Sequence, residues 1–305
     1  MSDADALLAI CTFPVPGSAV DLAVSGGPDS MGLLLLARAR ELSITVHHVN
    51  HHARHEADED ASFVADYARA HGLAYVGHDV HVEPGPNFEA RARQARRGAL
   101  PAGALTGHTM DDLVETIVLN LLRGAGVDGL TPMMGDATKP LLGVRRAALH
   151  DFVRARGVQA RHDATNDDVH FRRNRVRHEL LAVMNEVAER DVVPVVARGA
   201  AMMHDERRWL DALTEIDARR ALEEVDCREL ATWPLARLRR WLRGQLAADE
   251  AWGDRYPPSA DEVARALDVV FGRVTATELR GGRRLARRSQ HLRLEEASTT
   301  LTSHG

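Results

Sequence analysis

Residues 25–30 read Ser-Gly-Gly-Pro-Asp-Ser, and this stretch decides the fold of the chain. The apolar run before it, 19–24, predicts a buried strand, and the apolar run after it, 31–37, predicts a buried helix. A strand, a glycine turn and a helix start together form an anion site, because unpaired backbone N–H groups point at one spot. The two glycines permit close approach, and the two serines add hydroxyl donors. The stretch therefore predicts a phosphate-binding loop.

This loop differs from the two commonest phosphate loops. It lacks the Gly-Lys-Ser/Thr of a P-loop and the third glycine of the dinucleotide fingerprint. An ordinary strand-to-helix turn without a ligand is the alternative, but here the strand, the glycines and the helix follow one another in register. We therefore expect a nucleotide to be held by the loop residues Ser25, Gly26, Gly27, Pro28, Asp29 and Ser30.

Length and composition limit the class of protein. The 305 residues give room for a full core and for two domains. The N-terminus carries acid where a signal peptide carries Lys or Arg, and no apolar run approaches the ~20 residues of a membrane span. Cys11 and Cys227 form no Cys-x-x-Cys pair, so neither a zinc nor an iron–sulfur site is indicated. We expect a reduced, cytoplasmic protein that binds no membrane.

The charge is unevenly distributed. A net charge of −5 argues against a general nucleic-acid coat protein. The range from Lys139 to Arg177, however, contains ten basic residues and four acidic ones. The range from Arg273 to Arg293 contains seven arginines and a single acid, Glu278. Such local basic surfaces suit a polyanion that is bound at chosen places. Solvated arginines without a ligand are the alternative.

The order of predicted elements indicates an α/β protein. Strands are predicted over 19–24, 44–50, 74–80 and 104–107, with helices between them, as in a parallel sheet. Beyond residue 180 the pattern becomes helical, and 274–295 predicts a small β-hairpin around Gly281-Gly282. We expect a parallel-sheet nucleotide-binding catalytic domain over 1–200. A smaller, mainly helical domain with a short β-hairpin is expected over 201–305, with the boundary inside a helix.

A carboxylate cluster follows the fourth predicted strand, in the stretch 108–116, His-Thr-Met-Asp-Asp-Leu-Val-Glu-Thr. Open parallel sheets bind ligands at the carboxyl ends of their strands. Thr109 can cap the helix that begins here, with Asp112 three residues on. The acids share part of one helix face and suit Mg²⁺, an ammonium group or general-base catalysis. Compensation of the helix dipole is the alternative. The loop upstream favours a functional site, so we predict the catalytic residues His108, Asp111, Asp112 and Glu115.

Three further stretches carry candidate binding residues. The second predicted strand ends in a run of histidines, 47–52, but strand alternation sends neighbouring side chains to opposite faces and argues against a metal site. His48 and Asn50 are instead available to the nucleotide base or to substrate. Arg91 and Arg93 begin a predicted helix near the same region, although a solvated amphipathic helix fits equally well. The basic stretch 171–179 suits phosphate or base contacts, and a surface helix with Arg–Glu pairs is its alternative.

Together these motifs resemble the tRNA(Ile)-lysidine synthase family of PP-loop ATP pyrophosphatases. The loop alone indicates only a PP-loop enzyme, and the later motifs make the resemblance specific. Three positions depart from the family pattern: Leu113, Arg97 and Lys139 replace a usual Gln, Tyr and Arg. The matching stretches are Ser25–Ser30, His48–His51 with Arg54, Glu89–Arg91 with Arg93, His108–Thr116, Leu122–Gly126 with Gly129-Leu130, Pro140–Leu142, Asp163–Asp167 and Arg173–Glu179.

The resemblance implies a two-step ligation. ATP with Mg²⁺ adenylates the carbon-2 oxygen of the wobble cytidine in a tRNA(Ile) that has a CAU anticodon. The ε-amine of free L-lysine then displaces AMP and gives lysidine. The metal ligands would be Asp29 and Asp112, and a homodimer is compatible with the sequence. The residues implied for substrate and tRNA are Arg91, Arg93, Arg123, Arg173, Asn174, Arg175, Arg177 and His178.

Three alternatives stay open at this point. A tRNA thiolase of the same superfamily is one, although several such enzymes need cysteine pairs that this chain lacks. A synthetase for a small metabolite is another, but it would not need the basic stretch Arg173–His178. A non-catalytic RNA-binding module is the third, and the intact loop Ser25–Ser30 argues against it.

Overall fold

The structure, a computed structural model, describes residues 3–50, 57–80, 91, 95, 98–161, 171–249, 255–256 and 258–295. The chain divides into two compact units, Met1–Arg207 and Arg208–Gly305. The division falls within one long helix, Val193–Ala218. Among the described residues, no helix has the length and hydropathy of a membrane span.

A parallel sheet forms the centre of the first unit. Its strands are β1 (Ala19–Ala23), β2 (Ser43–Asn50) and β3 (Ala74–Asp79), with β2 in the middle. Leu22 pairs with Val46 of β2 on one side of β1, and on the other side it forms an isolated parallel bridge to Leu105. The predicted fourth strand, 104–107, is reduced to this bridge and its two hydrogen bonds. The order of strands brings the carboxyl ends of β1 and β2 and the residues after Leu105 to one edge of the sheet.

Helices cover the sheet and bury its apolar side chains. The apolar run after the loop forms the core of its helix, since residues 31–37 are all buried. Gly32 lies so close to the helix Arg146–Ala155 that a Cβ on it would stand 2.6 Å from Leu149 Cγ. The helices of this part are α1 (Asp3–Leu8), α2 (Pro28–Ala39), α3 (Ala57–Ala70), α4 (Met110–Leu121), α5 (Val127–Leu130) and α6 (Arg146–Ala155).

The basic stretch forms a helix that packs on α4. It begins as α7 (Arg172–Arg175), widens into a π turn (Val176–Leu180) and continues as α8 (Leu181–Ala188), and α9 (Val193–Ala218) follows. Val114 and Val118 of α4 pack in one apolar cluster with Val176 and Leu181. This packing holds a helix rich in arginine against a helix rich in carboxylates. π turns are rare and occur often at functional sites.

The second unit is mainly helical and ends in an antiparallel sheet. Its core packs Leu238, Trp241 and Leu242 against Leu285 and Leu292. Its predicted hairpin is confirmed and extended by a third strand. The helix that begins after Ser259 carries a capping box with Glu262. The elements are α10 (Cys227–Leu230), α11 (Leu235–Gln245), β4 (Ala248–Asp249), β5 (Arg255–Tyr256), α12 (Ala260–Val270), β6 (Ala276–Glu278), β7 (Arg284–Arg288) and β8 (His291–Glu295). The expected α/β fold is confirmed.

Candidate active site

The loop between β1 and α2 is stabilised by hydrogen bonds of its own two serines. The Ser25 backbone N–H donates to Ser30 Oγ at 3.1 Å, and Ser30 Oγ donates to the Gly27 carbonyl at 2.9 Å. Gly26 has φ +91°, a left-handed conformation that glycine adopts without strain. Gly27 caps α2 and has no side chain to occupy the first backbone N–H groups of that helix. The first N–H groups of a helix have no partner within the helix, so without a side-chain cap they are available to an anion.

Neighbouring residues hold the loop at the sheet edge. His48 Nδ1–H donates to the carbonyl of Val24, directly before the loop, at 2.8 Å. Because a carbonyl only accepts, this bond places a proton on Nδ1 of the imidazole. Asn50 Nδ2 donates to Asp58 Oδ1 at 2.7 Å, in the first turn of α3. His48 and Asn50 thus lie at the carboxyl end of β2, beside the loop.

His108 lies where the chain leaves the sheet after Leu105. Its Nδ1 is 2.8 Å from Thr106 Oγ1. The backbone N–H of Thr106 donates to the carbonyl of Thr138 at 2.8 Å, so the segment is tied to a second loop. The Thr106 hydroxyl lies farther, 3.4 Å, from that same carbonyl. The shorter contact therefore couples the orientation of the His108 ring to Thr106.

The carboxylates of α4 are oriented by the start of their helix. Thr109 caps α4: its backbone N–H donates to Asp112 Oδ2 at 2.8 Å, and the Asp112 N–H donates back to Thr109 Oγ1 at 3.4 Å. The predicted cap is confirmed as a capping box. Glu115, one turn further, has a side chain that is 0% exposed. A buried carboxylate needs partners of opposite charge.

Arginines from two other helices supply these partners. Glu115 accepts from Arg146 Nη1 at 2.8 Å, from Arg173 Nε at 2.9 Å and from Arg177 Nε at 2.7 Å. Asp112 Oδ1 accepts from Arg146 Nη2 at 2.9 Å and from Arg173 Nη2 at 3.2 Å. Glu115 is therefore the point at which α4, α6 and the basic helix are joined.

Asp111 belongs to a neighbouring ion pair. Its carboxylate accepts from the side chain of Arg145 at 3.1 Å and from the backbone N–H of Arg146 at 2.8 Å. Arg145 also pairs with Asp191. The start of α6 therefore carries two consecutive arginines, each directed at the carboxylates of α4.

These contacts keep the two inner carboxyls ionised. Burial favours the neutral form of Asp112, but Arg146, Arg173 and the hydrogen bonds from Thr109 hold its pKa below the ordinary value. Burial acts in the same way on Glu115, and Arg177 and Arg146 lower its pKa. The pKa of Arg146 is raised: burial opposes its charge, and Asp112 and Glu115 outweigh that effect. The cluster is charged at neutral pH.

Asp29 connects the loop to this cluster. Its Oδ1 accepts from His150 Nε2 at 2.8 Å, and its Oδ2 lies 3.7 Å from Arg146 Nε. Arg146 and His150 are four residues apart on α6 and so share one helix face. The loop and the carboxylates of α4 consequently form one site around a single guanidinium group.

Comparisons with known proteins agree with this arrangement. A family model described as a PP-loop domain, ATP_bind_3, matches residues 4–184. A protein named tRNA(Ile)-lysidine synthase from Symbiobacterium thermophilum is 36% identical over 293 residues, with 84% of this chain and 60% of the relative covered. One of the same name from Mycolicibacterium paratuberculosis is 38% identical over 247 residues, with 76% and 75% covered. A third, from Rhodococcus erythropolis, is 34% identical over 266 residues, with 84% and 80% covered.

The chain belongs to the tRNA(Ile)-lysidine synthase family. The resemblance inferred from the motifs is thereby confirmed. The chain spans only 60% of the Symbiobacterium relative. Several of the family-like motif residues, among them His51, Arg54, Glu89, Arg93 and Asp163–Asp167, lie outside the described residues.

The structure links several of the predicted site residues and shows how far the others are exposed. Asp29, Asp112, Glu115, Arg173 and Arg177 are linked through Arg146 or Glu115. Asn174 is buried, and Arg175 is exposed and pairs with Glu179. Arg123 and His178 are exposed. Arg91 is helical and half-buried.

Sequence reasoning missed three residues of the site: Arg145, Arg146 and His150. One signal could have revealed the first two. Basic side chains are unfavourable in the first turn of a helix because the helix dipole is positive there. Arg145 is the N-cap of α6 and Arg146 is its first residue, with no acid in that turn. Two arginines at such a position indicate carboxylates nearby.

Proposed function

We propose that this protein ligates L-lysine to carbon 2 of the wobble cytidine of a tRNA(Ile) with a CAU anticodon, using ATP and releasing AMP and pyrophosphate. The observation that carries the proposal is the double contact of Arg146, which reaches the phosphate loop at Asp29 and the carboxylates of α4 at Asp112 and Glu115. This contact supports a PP-loop nucleotide site beside an acidic site for a cationic substrate. The relatives carry the name of that activity.

The loop serves the first step. Oxygen 2 of the cytidine attacks the α-phosphorus of ATP, and the bond from that phosphorus to the pyrophosphate breaks. The backbone N–H groups of α2 and the hydroxyls of Ser25 and Ser30 would hold the departing pyrophosphate, whose negative charge grows in this step. We propose that His108, at the end of the strand-like segment, contacts the reacting base.

Asp29 fits Mg²⁺ better than Asp112. No group of three or more His, Cys, Asp or Glu that suits a metal occurs in the described part of the chain. Magnesium at a nucleotide needs only one or two carboxylates, since phosphates and water supply the other oxygens. Asp29 is 35% exposed and lies in the phosphate loop itself, whereas Asp112 is 13% exposed and lies on α4. Bound Mg²⁺ would neutralise phosphate charge, and Asp29 would hold it.

The acids of α4 serve the second step. The lysine ε-amine attacks carbon 2, AMP leaves with the oxygen, and the amine loses a proton. Asp111 and Asp112 are 14% and 13% exposed and can meet a cationic substrate, because opposite charges attract strongly near a protein interior. Glu115 is fully buried, so its role is to hold Arg146, Arg173 and Arg177 in position.

The exposed part of the basic helix would meet tRNA. Arg173 and Arg177 point inward to Glu115, while Arg175 and His178 are exposed. Arg123, at the end of α4, is exposed as well. We propose that these three outward side chains contact tRNA phosphates. A homodimer and a cytoplasmic location stay predictions.

Incorporation of labelled L-lysine tests the proposal. The purified chain is incubated with ATP, Mg²⁺ and a tRNA(Ile) transcript that has a CAU anticodon, and a matched transcript carries uridine at the wobble position. We expect label in the first transcript only, and only with ATP. Pyrophosphate release without lysine incorporation would replace lysine by another nucleophile. Absence of both would overturn the proposed reaction.

A further inference from the structure

Two of the three guanidinium nitrogens of Arg146 donate hydrogen bonds to carboxylates, and the third donates none to the described residues. Nη1 donates to Glu115 and Nη2 donates to Asp112. Nε is buried and, among the residues that the structure describes, has no hydrogen-bond acceptor. It lies 3.7 Å from Asp29 Oδ2, just outside hydrogen-bond distance. Buried N–H groups without a partner are uncommon and need an explanation.

A small movement of Asp29 would complete this bond. Hydrogen bonds of this kind span about 2.7–3.2 Å, so a shift of less than ~1 Å is enough. Asp29 lies in the phosphate loop, where a nucleotide binds. Its other carboxylate oxygen is held by His150, on the same face of α6 as Arg146. Both contacts of Asp29 are thus to α6, and a small shift of the loop toward that helix would shorten the longer one.

We propose that Arg146 is a positioning residue that couples the phosphate loop to the carboxylates of α4. Nucleotide binding brings Asp29 onto Arg146 Nε, and the guanidinium is then shared among three acids. Its hold on Asp112 weakens, and Asp112 becomes available to the ammonium group of the amino-acid substrate. The inference rests on the proposed function and deepens it.

This coupling has a thermodynamic consequence. If nucleotide binding makes Asp112 more available, lysine binds more tightly to the nucleotide complex than to the free protein. Linkage requires the nucleotide to bind more tightly in the presence of lysine by the same factor. Couplings between sites are commonly about 5- to 150-fold. A guanidinium that only supports the fold would give a factor of one.

Calorimetric titration of L-lysine, with and without a non-hydrolysable ATP analogue and Mg²⁺, measures this factor on the full chain. We expect the wild type to bind lysine at least about fivefold more tightly with the analogue. Arg146→Lys keeps the charge but loses the three-way fork, so its ratio should approach one. Arg145→Lys is the matched control: Arg145 pairs with Asp111 and Asp191, and its substitution should lower affinity without changing the ratio.

Two results would overturn the inference: a ratio of one in the wild type, or a wild-type ratio in Arg146→Lys. If that variant does not fold, hydrogen exchange of wild-type α4 decides. The analogue alone should change exchange in the first turn of Met110–Leu121, and unchanged exchange would contradict the coupling. This second measurement needs no lysine, so it separates failure of the coupling from failure of the proposed lysine substrate.

Discussion

Gly107 touches the backbone of Asp29. A Cβ built on Gly107 would lie 2.7 Å from the Asp29 carbonyl oxygen, closer than real Cβ contacts allow. The contact joins the segment after Leu105 to the phosphate loop without any side chain between them. Space, and not a special backbone conformation, requires glycine at this position.

Substitution of Gly107 by alanine should displace the loop. The methyl group meets the backbone of Asp29 and Ser30, which cannot give way as a flexible side chain would. Misplacement of catalytic groups by about 1 Å can lower the rate on the order of 100-fold, and we expect ATP-dependent adenylation to fall by that order. Gly199→Ala, in the open interior of α9, is the control and should be neutral or slightly stabilising. Equal activity of both variants would contradict the prediction.

Removal of the Glu115 charge should destabilise the first unit. Glu115→Gln keeps the shape of the side chain but leaves Arg146, Arg173 and Arg177 without their buried counter-charge. Breaking a buried ion pair costs about 3–5 kcal/mol, and we expect a loss of that order in the free energy of unfolding. Urea denaturation measures it. Glu179→Gln removes an exposed pair with Arg175 and should change stability by less than about 0.5 kcal/mol.

The lowered pKa values predict acid sensitivity. Asp112 and Glu115 have folded pKa values below the ordinary 3.8 and 4.5, so they bind fewer protons folded than unfolded. Their stabilisation is present above the unfolded pKa values and is lost as pH falls through the folded ones. The free energy of unfolding should therefore fall as pH drops below 4.5, and Glu115→Gln should lose less between pH 5 and pH 3. Parallel curves for the two proteins would show that Glu115 carries no such linkage.

Thr106 should affect catalysis by orienting the imidazole of His108. Thr106→Val preserves the shape of the side chain and removes the hydroxyl 2.8 Å from His108 Nδ1. With the imidazole less well oriented, we expect kcat for lysine incorporation to fall about 10-fold while KM for ATP stays unchanged. Thr106→Ser should restore the rate. A change in KM alone would assign Thr106 to nucleotide binding instead.

The C-terminal sheet carries a prediction about tRNA. Arg280 and Arg293 are exposed on or beside β6–β8, and we expect this basic sheet to contact the acceptor side of the tRNA. The double substitution Arg280→Glu and Arg293→Glu should weaken tRNA binding. It should also reduce the slope of log K against log salt concentration by the amount expected for about two phosphate contacts. Arg69→Glu is the control, because Arg69 is likewise an exposed arginine but lies on α3, outside the C-terminal sheet. Unchanged affinity and salt slope in the double variant would exclude the contact.

Local patterns made the loop and the helix start predictable. The strand–glycine–helix pattern at Ser25–Ser30 and the capping box of Thr109 with Asp112 each depend on residues within a few positions. The partner of Arg146 could not be found in this way, because Glu115 lies 31 residues away in sequence. The same holds for Arg173, whose spacing suited an RNA contact but whose guanidinium binds Glu115, 58 residues away. The predicted fourth strand, 104–107, was too long. The backbone N–H of Thr106 donates to Thr138 in a loop instead of pairing with β1.

The inward pairing of Arg173 and Arg177 would also affect how fast the proposed tRNA substrate arrives. The charges of Arg146, Arg173 and Arg177 are balanced by the carboxylates of Asp29, Asp112 and Glu115. The field of this neutral cluster decays quickly and contributes little to the long-range attraction that would guide a polyanion. The arginine count of the basic stretch therefore overstates the attraction that an approaching tRNA experiences. We expect its arrival to depend on the outward cations, with the exposed Arg123 and Arg172 among them. The inner arginines hold Glu115 and so contribute to the order of the site rather than to the attraction.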